Sequence, residues 1–286
     1  MAKCSVCFRH CVLREGEKGF CGVRACRNGA VIPLNYGLVT ALALDPIEKK
    51  PLNRFFPGSR ILSVGSFGCN LRCPFCQNHE ISWSAEAMAL AEHARRMTPE
   101  SLVQTALDCA DRGNIGLAFT YNEPLIGYEF VLDTAKLARA AELKTVMVTN
   151  GTADLGVLEA LGPWIDAMNI DLKGFTDRYY RQVLGGDLET VKAFIARAVQ
   201  LCHVELTTLI VPGENDGAEE MRALSAWVSE LRDARGSRIG RSVPLHVSRF
   251  FPRFRMTDRR PTPVKTVFAL AEIARERLDH VYTGNC

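Results

Sequence analysis

From residue 61 onward, apolar runs of strand length alternate with helical stretches, and this alternation limits the fold more than any other feature of the chain. The first run is Ile61–Val64. A helix opens at Thr98-Pro99-Glu100, with a threonine N-cap and proline at the first helical position, and is expected to reach Arg112. Further strands are expected at 115–119, 145–148, 167–170, 204–210 and 245–247. Helices are expected at 124–141, 155–161, 188–201, 218–234 and 263–278. Strand–helix units in this order specify the α/β class with a parallel sheet. Six such units are too few to close an eight-stranded barrel. With 286 residues, 47% apolar and 23% charged, the chain is long enough for one such domain and a small appendage.

In a sheet of this kind, function belongs on the loops that follow the strands. After Ile61–Val64, Gly65 and Gly68 release the backbone into Cys69-Asn70-Leu71-Arg72-Cys73-Pro74-Phe75-Cys76, a C-x3-C-x2-C spacing. A structural 4Fe–4S cluster takes four protein thiolates. Three leave one iron open to an outside ligand, which is how such a site does chemistry. Phe75 is placed to shield that iron. The competing reading is a zinc loop that borrows a fourth ligand, such as His79.

Residues 1–35 carry five more cysteines: Cys4, Cys7, Cys11, Cys21 and Cys26. The C-x2-C-x3-C-x9-C spacing of the first four suggests a metal knuckle in a segment too short and polar to own a core. Zinc and an auxiliary iron–sulfur cluster both fit. The lack of tight C-x2-C-x2-C repeats favours zinc. His10 is an alternative to Cys11, and either Cys26 or Cys21 is surplus. Residues 36–60, rich in proline and glycine near Asp45-Pro46 and Pro57-Gly58, read as a connector lying on the sheet domain of 61–286.

The chain has no signal-peptide pattern and no apolar run long enough to cross a membrane, so a cytoplasmic location is expected. In a reducing compartment, eleven cysteines are metal ligands or buried thiols rather than disulfides. Cys109 and Cys202 fall in helical patterns and read as core; Cys286 reads as a free thiol. A net charge of +3 gives no footing for nucleic acid.

The stretch Gly68–Asn78 resembles the signature of the radical S-adenosylmethionine (radical SAM) superfamily. Its surroundings resemble the pyruvate-formate-lyase-activating-enzyme-like branch, and within it the AmmeMemoRadiSam proteins. The resemblance implies a partial (β/α)6 TIM-type barrel and an oxidoreductase of the activating-enzyme kind. SAM would bind the open iron and be cleaved to a 5′-deoxyadenosyl radical. Tyr121-Asn122-Glu123-Pro124 stands where the superfamily has Gly-Gly-Glu-Pro, so Glu123 with Tyr121 and Asn122 is expected at the SAM amine. Thr149-Asn150-Gly151 follows the next strand, and Thr149 and Asn150 are expected among the cofactor-binding residues. Asp171-Leu172-Lys173 looks like the Asp-x-Lys motif of activases, with Lys173 expected at the SAM carboxylate and Asp171 at a ribose hydroxyl or a cation. Two positions depart from the pattern. Val148 stands where activases carry an acid that helps bind a monovalent cation, and Asn53-Arg54 stands where relatives often carry tyrosine and histidine.

Implied partners are a flavodoxin- or ferredoxin-type reductant and either a glycyl radical enzyme or Memo- and AMMECR-type proteins. One rival is radical modification of a small molecule, peptide or macromolecule. Another is a non-catalytic zinc-binding interaction protein.

Overall fold

The computed structural model describes residues 1–286, apart from the side chains of Leu90 and Ala91. Eight strands form one sheet: β1 (Ala41–Pro46), β2 (Arg60–Gly65), β3 (Asn114–Phe119), β4 (Lys144–Thr149), β5 (Ala167–Asp171), β6 (His203–Ile210), β7 (Leu245–Arg249) and β8 (Val281–Gly284). They lie side by side in chain order. β1 is antiparallel to β2; every pairing from β2 to β8 is parallel. The two edge strands β1 and β8 do not pair, so the sheet remains open. Around it run α1 (Pro99–Leu107), α2 (Tyr128–Ala140), α3 (Leu155–Leu161), α4 (Leu188–Ala198), α5 (Ala218–Ser229) and α6 (Val264–Arg275).

The expected strand–helix alternation is present, with corrections. The segment 36–60 is more than a connector, because Ala41–Pro46 pairs with β2 from Ala41↔Gly65 to Pro46↔Arg60. Its apolar core, Leu42-Ala43-Leu44, is short, and a proline is tolerated because β1 is an edge strand. β8 adds a seventh parallel strand of only four residues, too short for a periodic signal. Several helices also end a turn before their expected limits. α1 stops at Leu107, and a separate 3-10 turn covers Ala110–Arg112.

Strand alternation divides the core. Leu62, Val64, Leu117, Phe119, Met147, Met168 and Ile170 belong to the large cluster that includes helix residues such as Leu102, Phe130, Val157 and Phe194. The alternate positions Ile61, Ala118, Val146 and Ala167 face inward instead and pack on Ile47, Leu52 and Phe55. Residues 47–55 therefore plug the barrel at the start of its strands. Polar contacts fix the plug. The buried Glu205 carboxylate accepts the N–H groups of Asn53 (3.0 Å) and Arg54 (2.7 Å), with His203 (3.0 Å) and His246 (2.7 Å) on its two oxygens. Asn169 donates to the Pro51 carbonyl at 2.8 Å. The buried Lys50 ammonium sits 2.9 Å from Asp45.

Residues 1–33 hold two small hairpins, Ala2–Lys3 with Val12–Leu13 and Arg24–Arg27 with Ala30–Pro33. They dock on the loop after β4. Cys7 bridges Ala153, the Phe8 N–H reaches the Thr152 carbonyl at 3.3 Å, and the Asp154 N–H reaches the Val6 carbonyl at 3.0 Å. A buried Arg24 guanidinium pairs with Glu129 of α2 at 2.7 Å.

Candidate functional site

The cysteine loop leaves β2 through Gly68, whose φ of +97° lies in the left-handed region. A Cβ there would stand 2.7 Å from Val23 and 2.8 Å from Ile126, so space and backbone both demand glycine. Beyond it, the Leu71 N–H points at the Cys69 sulfur at 3.5 Å, and the Cys76 N–H bonds the Cys73 carbonyl at 3.2 Å. The Arg72 N–H bonds the Leu184 carbonyl at 2.9 Å. Phe75 is buried edge-on against Phe250, with ring centroids 6.2 Å apart. Burial pushes the Cys73 thiol up to about 11, with the Lys173 ammonium pulling the other way. Burial also drives the Cys69 thiol well above its ordinary range, and Glu123 and Cys73 add to the effect.

Glu123 stands on one flank of these thiols and is almost fully buried. Its carboxylate accepts the Leu125 N–H (3.1 Å) and the Thr149 hydroxyl (2.7 Å) on one oxygen, and the Asn150 N–H (2.8 Å) on the other. Burial raises the carboxyl pKa to about 7 against the pull of those donors. The Asn150 amide donates to Asn70 Oδ1 at 2.9 Å and lies 3.9 Å from the Cys69 sulfur. The Asn70 amide donates to the Thr152 hydroxyl at 2.8 Å.

On the other flank is the Asp171–Lys173 pair at the end of β5, 2.8 Å apart. Burial works against the Lys173 charge, but Asp171 and the Cys73 thiol outweigh it and hold the ammonium above its ordinary range. The Lys173 backbone is fastened as well. Its N–H donates to the buried Tyr180 hydroxyl at 3.0 Å, and its carbonyl accepts the Asn215 amide at 2.7 Å. Tyr180 belongs to a π-helical turn, Tyr179–Leu184, a local form often found near functional sites.

Glu123, Thr149, Asn150, Asp171 and Lys173 thus gather around Cys69, Cys73, Phe75 and Cys76. Tyr121 and Asn122 are used differently from expectation. The Tyr121 hydroxyl turns into the barrel and bonds Asp45 at 3.0 Å. The Asn122 amide spans the carbonyls of Phe67 and Gly68, both at 3.3 Å, and its oxygen accepts the Ser66 N–H at 3.1 Å. Asn122 therefore shapes the cysteine loop from behind. The Arg54 side chain is exposed, and this position acts through its N–H on Glu205. His79 faces the Cys76 carbonyl at 3.1 Å and stacks on Phe254. Cys109 is buried, Cys202 is half-buried and Cys286 is exposed. The contacts of Asn70, Tyr180 and Asn215 are not legible in the sequence, which marks only the turn Val211–Asp216 as one that can approach the adenosine. Asn70 acts on Thr152 and Asn150 about eighty residues away, Asn215 reaches the Lys173 carbonyl, 42 residues earlier, and Tyr180 meets Lys173 across an irregular loop, so none leaves a trace in periodicity.

The donor set suits an iron–sulfur cluster. It offers three thiols on one loop, amide N–H groups aimed at Cys69, and an ammonium beside Cys73. Among the described residues, no three His, Cys, Asp or Glu converge on a single metal ion. A cluster binds its thiolates through separate irons and needs no such convergence.

A partial barrel of parallel strands with this loop on its rim defines a class of iron–sulfur enzyme fold. The chain belongs to the radical SAM superfamily, whose sequence profile matches residues 63–224. An uncharacterized protein of Methanocaldococcus jannaschii is 40% identical, over 99% of this chain and 81% of its own length. The pyruvate formate-lyase-activating enzyme of Clostridium pasteurianum is 28% identical, over 62% of this chain and 72% of its own. Among solved structures, Streptococcus suis SuiB bound to S-adenosylmethionine superposes with a TM-score of 0.58 at 12% identity, over 79% of this chain and 52% of that one. That likeness concerns the fold. No helix is long and apolar enough to cross a membrane, among the described residues.

Proposed function

We propose that this chain cleaves SAM reductively and uses the resulting radical to take a hydrogen atom from a glycyl residue of a partner protein. The observation that carries this reading is the placement of Glu123 and the Asp171–Lys173 pair on opposite flanks of Cys69, Cys73 and Cys76. When bound, a 4Fe–4S cluster with one open iron supplies the electron that breaks the sulfonium bond of SAM. Cys69, Cys73 and Cys76 would hold that cluster. The Leu71 N–H and the Asn150 side-chain amide offset negative charge on the Cys69 sulfur. Lys173 pairs with the SAM carboxylate and Glu123 receives its amine, while Asp171 keeps Lys173 charged and in place. Phe75 and Phe250 keep water from the reacting side. The sheet is open between its edge strands β1 and β8, which leaves a lateral mouth for a polypeptide loop to enter. The names of several relatives, which include activating enzymes of pyruvate formate-lyase and isethionate sulfite-lyase, support a protein target.

The test is anaerobic reconstitution with iron and sulfide, followed by dithionite and SAM. The parent should release 5′-deoxyadenosine and methionine. The Cys69→Ala/Cys73→Ala/Cys76→Ala protein should release none, and equal yields from the two would defeat the reading. The glycyl target is checked by an organic radical signal on a glycyl radical protein incubated with the reduced enzyme.

A further inference from the structure

A second set of thiols lies against the first. Cys4, Cys7 and Cys21 are buried and Cys11 is half-buried, in a segment whose strands are only two to four residues long. The Cys4 N–H bonds the Cys11 carbonyl at 2.8 Å, and a Cβ on Gly19 would stand 3.6 Å from the Cys11 sulfur. The Gly22 N–H beside Cys21 bonds the Gly19 carbonyl at 2.9 Å, and Cys7 lies in the electrostatic field of Cys21 and Cys4, so the four occupy one neighbourhood. The Arg9 N–H faces the Cys7 sulfur, and the N–H groups of Val23 and Arg24 face that of Cys21. The fifth cysteine stands apart, because the Cys26 thiol points to Glu15 at 3.8 Å. His10 turns to Asp154 at 3.5 Å. A tetrahedral zinc would draw four sulfurs to within about 3.8 Å of one another. Among the described residues no such convergence exists, here or at Cys69–Cys76.

The two sets are also joined. The Asn70 side chain faces Cys7, and the residue before it in the chain is Cys69. Arg9 Nε donates to the Asn70 carbonyl at 2.8 Å, and an Arg72 nitrogen donates to the Cys69 carbonyl at 2.8 Å. Both guanidiniums lie over the Phe20 ring, at 3.4 and 3.9 Å from its centre, and each sits in the field of thiols from both sets. Two cations between two thiolate sets are what two neighbouring anionic clusters require.

We infer that Cys4, Cys7, Cys11 and Cys21 hold a second iron–sulfur cluster that passes electrons to the cluster at Cys69, Cys73 and Cys76 through the Cys7–Asn70–Cys69 contact. Sequence spacing favoured zinc; the junction with the Cys69–Cys76 loop favours a redox cluster. One electron from a low-potential carrier of flavodoxin or ferredoxin type enters the N-terminal cluster and moves to the site cluster. The carrier is oxidised by one electron, the sulfonium of SAM is finally reduced by it, and the relay moves no atom or proton. This inference rests on the radical SAM reading of the Cys69–Cys76 site, and iron counting separates the two.

The experiment reconstitutes the full chain and the Cys69→Ala/Cys73→Ala/Cys76→Ala variant with iron and sulfide without oxygen, then measures metal content and low-temperature EPR after dithionite. The parent should bind about eight irons and the variant about four, with a reducible signal in both. The reduced parent should show magnetic interaction between two clusters, absent from the variant. One zinc with no iron in the variant, no metal in it, or only about four irons in the parent and none in the variant would overturn the N-terminal cluster. Two clusters without magnetic interaction would overturn the relay. About four irons in both proteins would keep the N-terminal cluster and sink the site reading instead.

Discussion

The Glu123 carboxylate accepts the Asn150 N–H at 2.8 Å, so the loop after β3 is fastened to the loop after β4 by a buried acid. The same carboxylate meets Thr149, and Asn150 in turn approaches the Cys69 sulfur. One side chain therefore sets the relative positions of three rim loops.

Glu123→Ala, reconstituted to the iron content of the parent, should lose the contact to the SAM amine. Removing one member of a buried charge pair costs about 2–5 kcal/mol, roughly a 30-fold to several-thousand-fold loss of rate. The readout is dithionite-driven 5′-deoxyadenosine formation below SAM saturation. A rate within a factor of two of the parent would leave Glu123 as a loop fastener alone.

Lys173→Ala should act on binding before chemistry. With Asp171 left unpartnered at the rim, SAM affinity should fall at least about tenfold, equal to about 1.4 kcal/mol. Equilibrium dialysis of SAM against reconstituted protein without reductant measures this directly. Unchanged affinity would move the carboxylate contact to another residue.

Gly68→Ala forces a Cβ against Val23 and Ile126 and an alanine into φ +97°. Overpacking of this kind costs about 1–3 kcal/mol before the backbone strain is added. A lowered melting temperature in the apoprotein, together with reduced iron uptake, is expected. A full iron complement at unchanged stability would show that the loop relaxes freely.

The Glu205 lock under the barrel should be visible in acid. Burial opposes its charge, but hydrogen bonds from His203, His246, Arg54 and Asn53 hold its pKa down to about 2. A depressed folded-state pKa stabilises the fold above the unfolded value of about 4.3, and that stability fades as pH falls toward 2. Glu205→Gln should therefore be less stable than the parent by ~3 kcal/mol at pH 6, with the gap narrowing below about pH 4.3. Urea unfolding at pH 6 and pH 3 checks it; a gap independent of pH would locate the loss in packing.

Strand–helix alternation and the cysteine spacing were legible because each repeats within a short window. Ile61–Val64, the helix opening at Thr98-Pro99 and the loop Cys69–Cys76 all follow from local rules. What stayed hidden depends on distant pairings. β1 exists because β2 offers Ala41–Pro46 an edge. Tyr121, expected at the cofactor, spends its hydroxyl on Asp45, 76 residues earlier in the chain. Asn70 sits between two cysteines with no local signal of its own, yet its amide meets Thr152 and its oxygen meets Asn150. A polar side chain with a partner in another loop has no periodicity to betray it.

The Arg9–Phe20–Arg72 stack has a consequence for inheritance. Phe20 and Arg9 come from the first two dozen residues, whereas Arg72 and its neighbour Cys69 come from the signature loop. A transplant of the N-terminal segment onto a foreign barrel would arrive without Arg72 under its phenyl ring and without Asn70 beside Cys7. Recombination between relatives should therefore succeed only when both stretches travel together, and drift at Phe20 should be mirrored by drift at position 72.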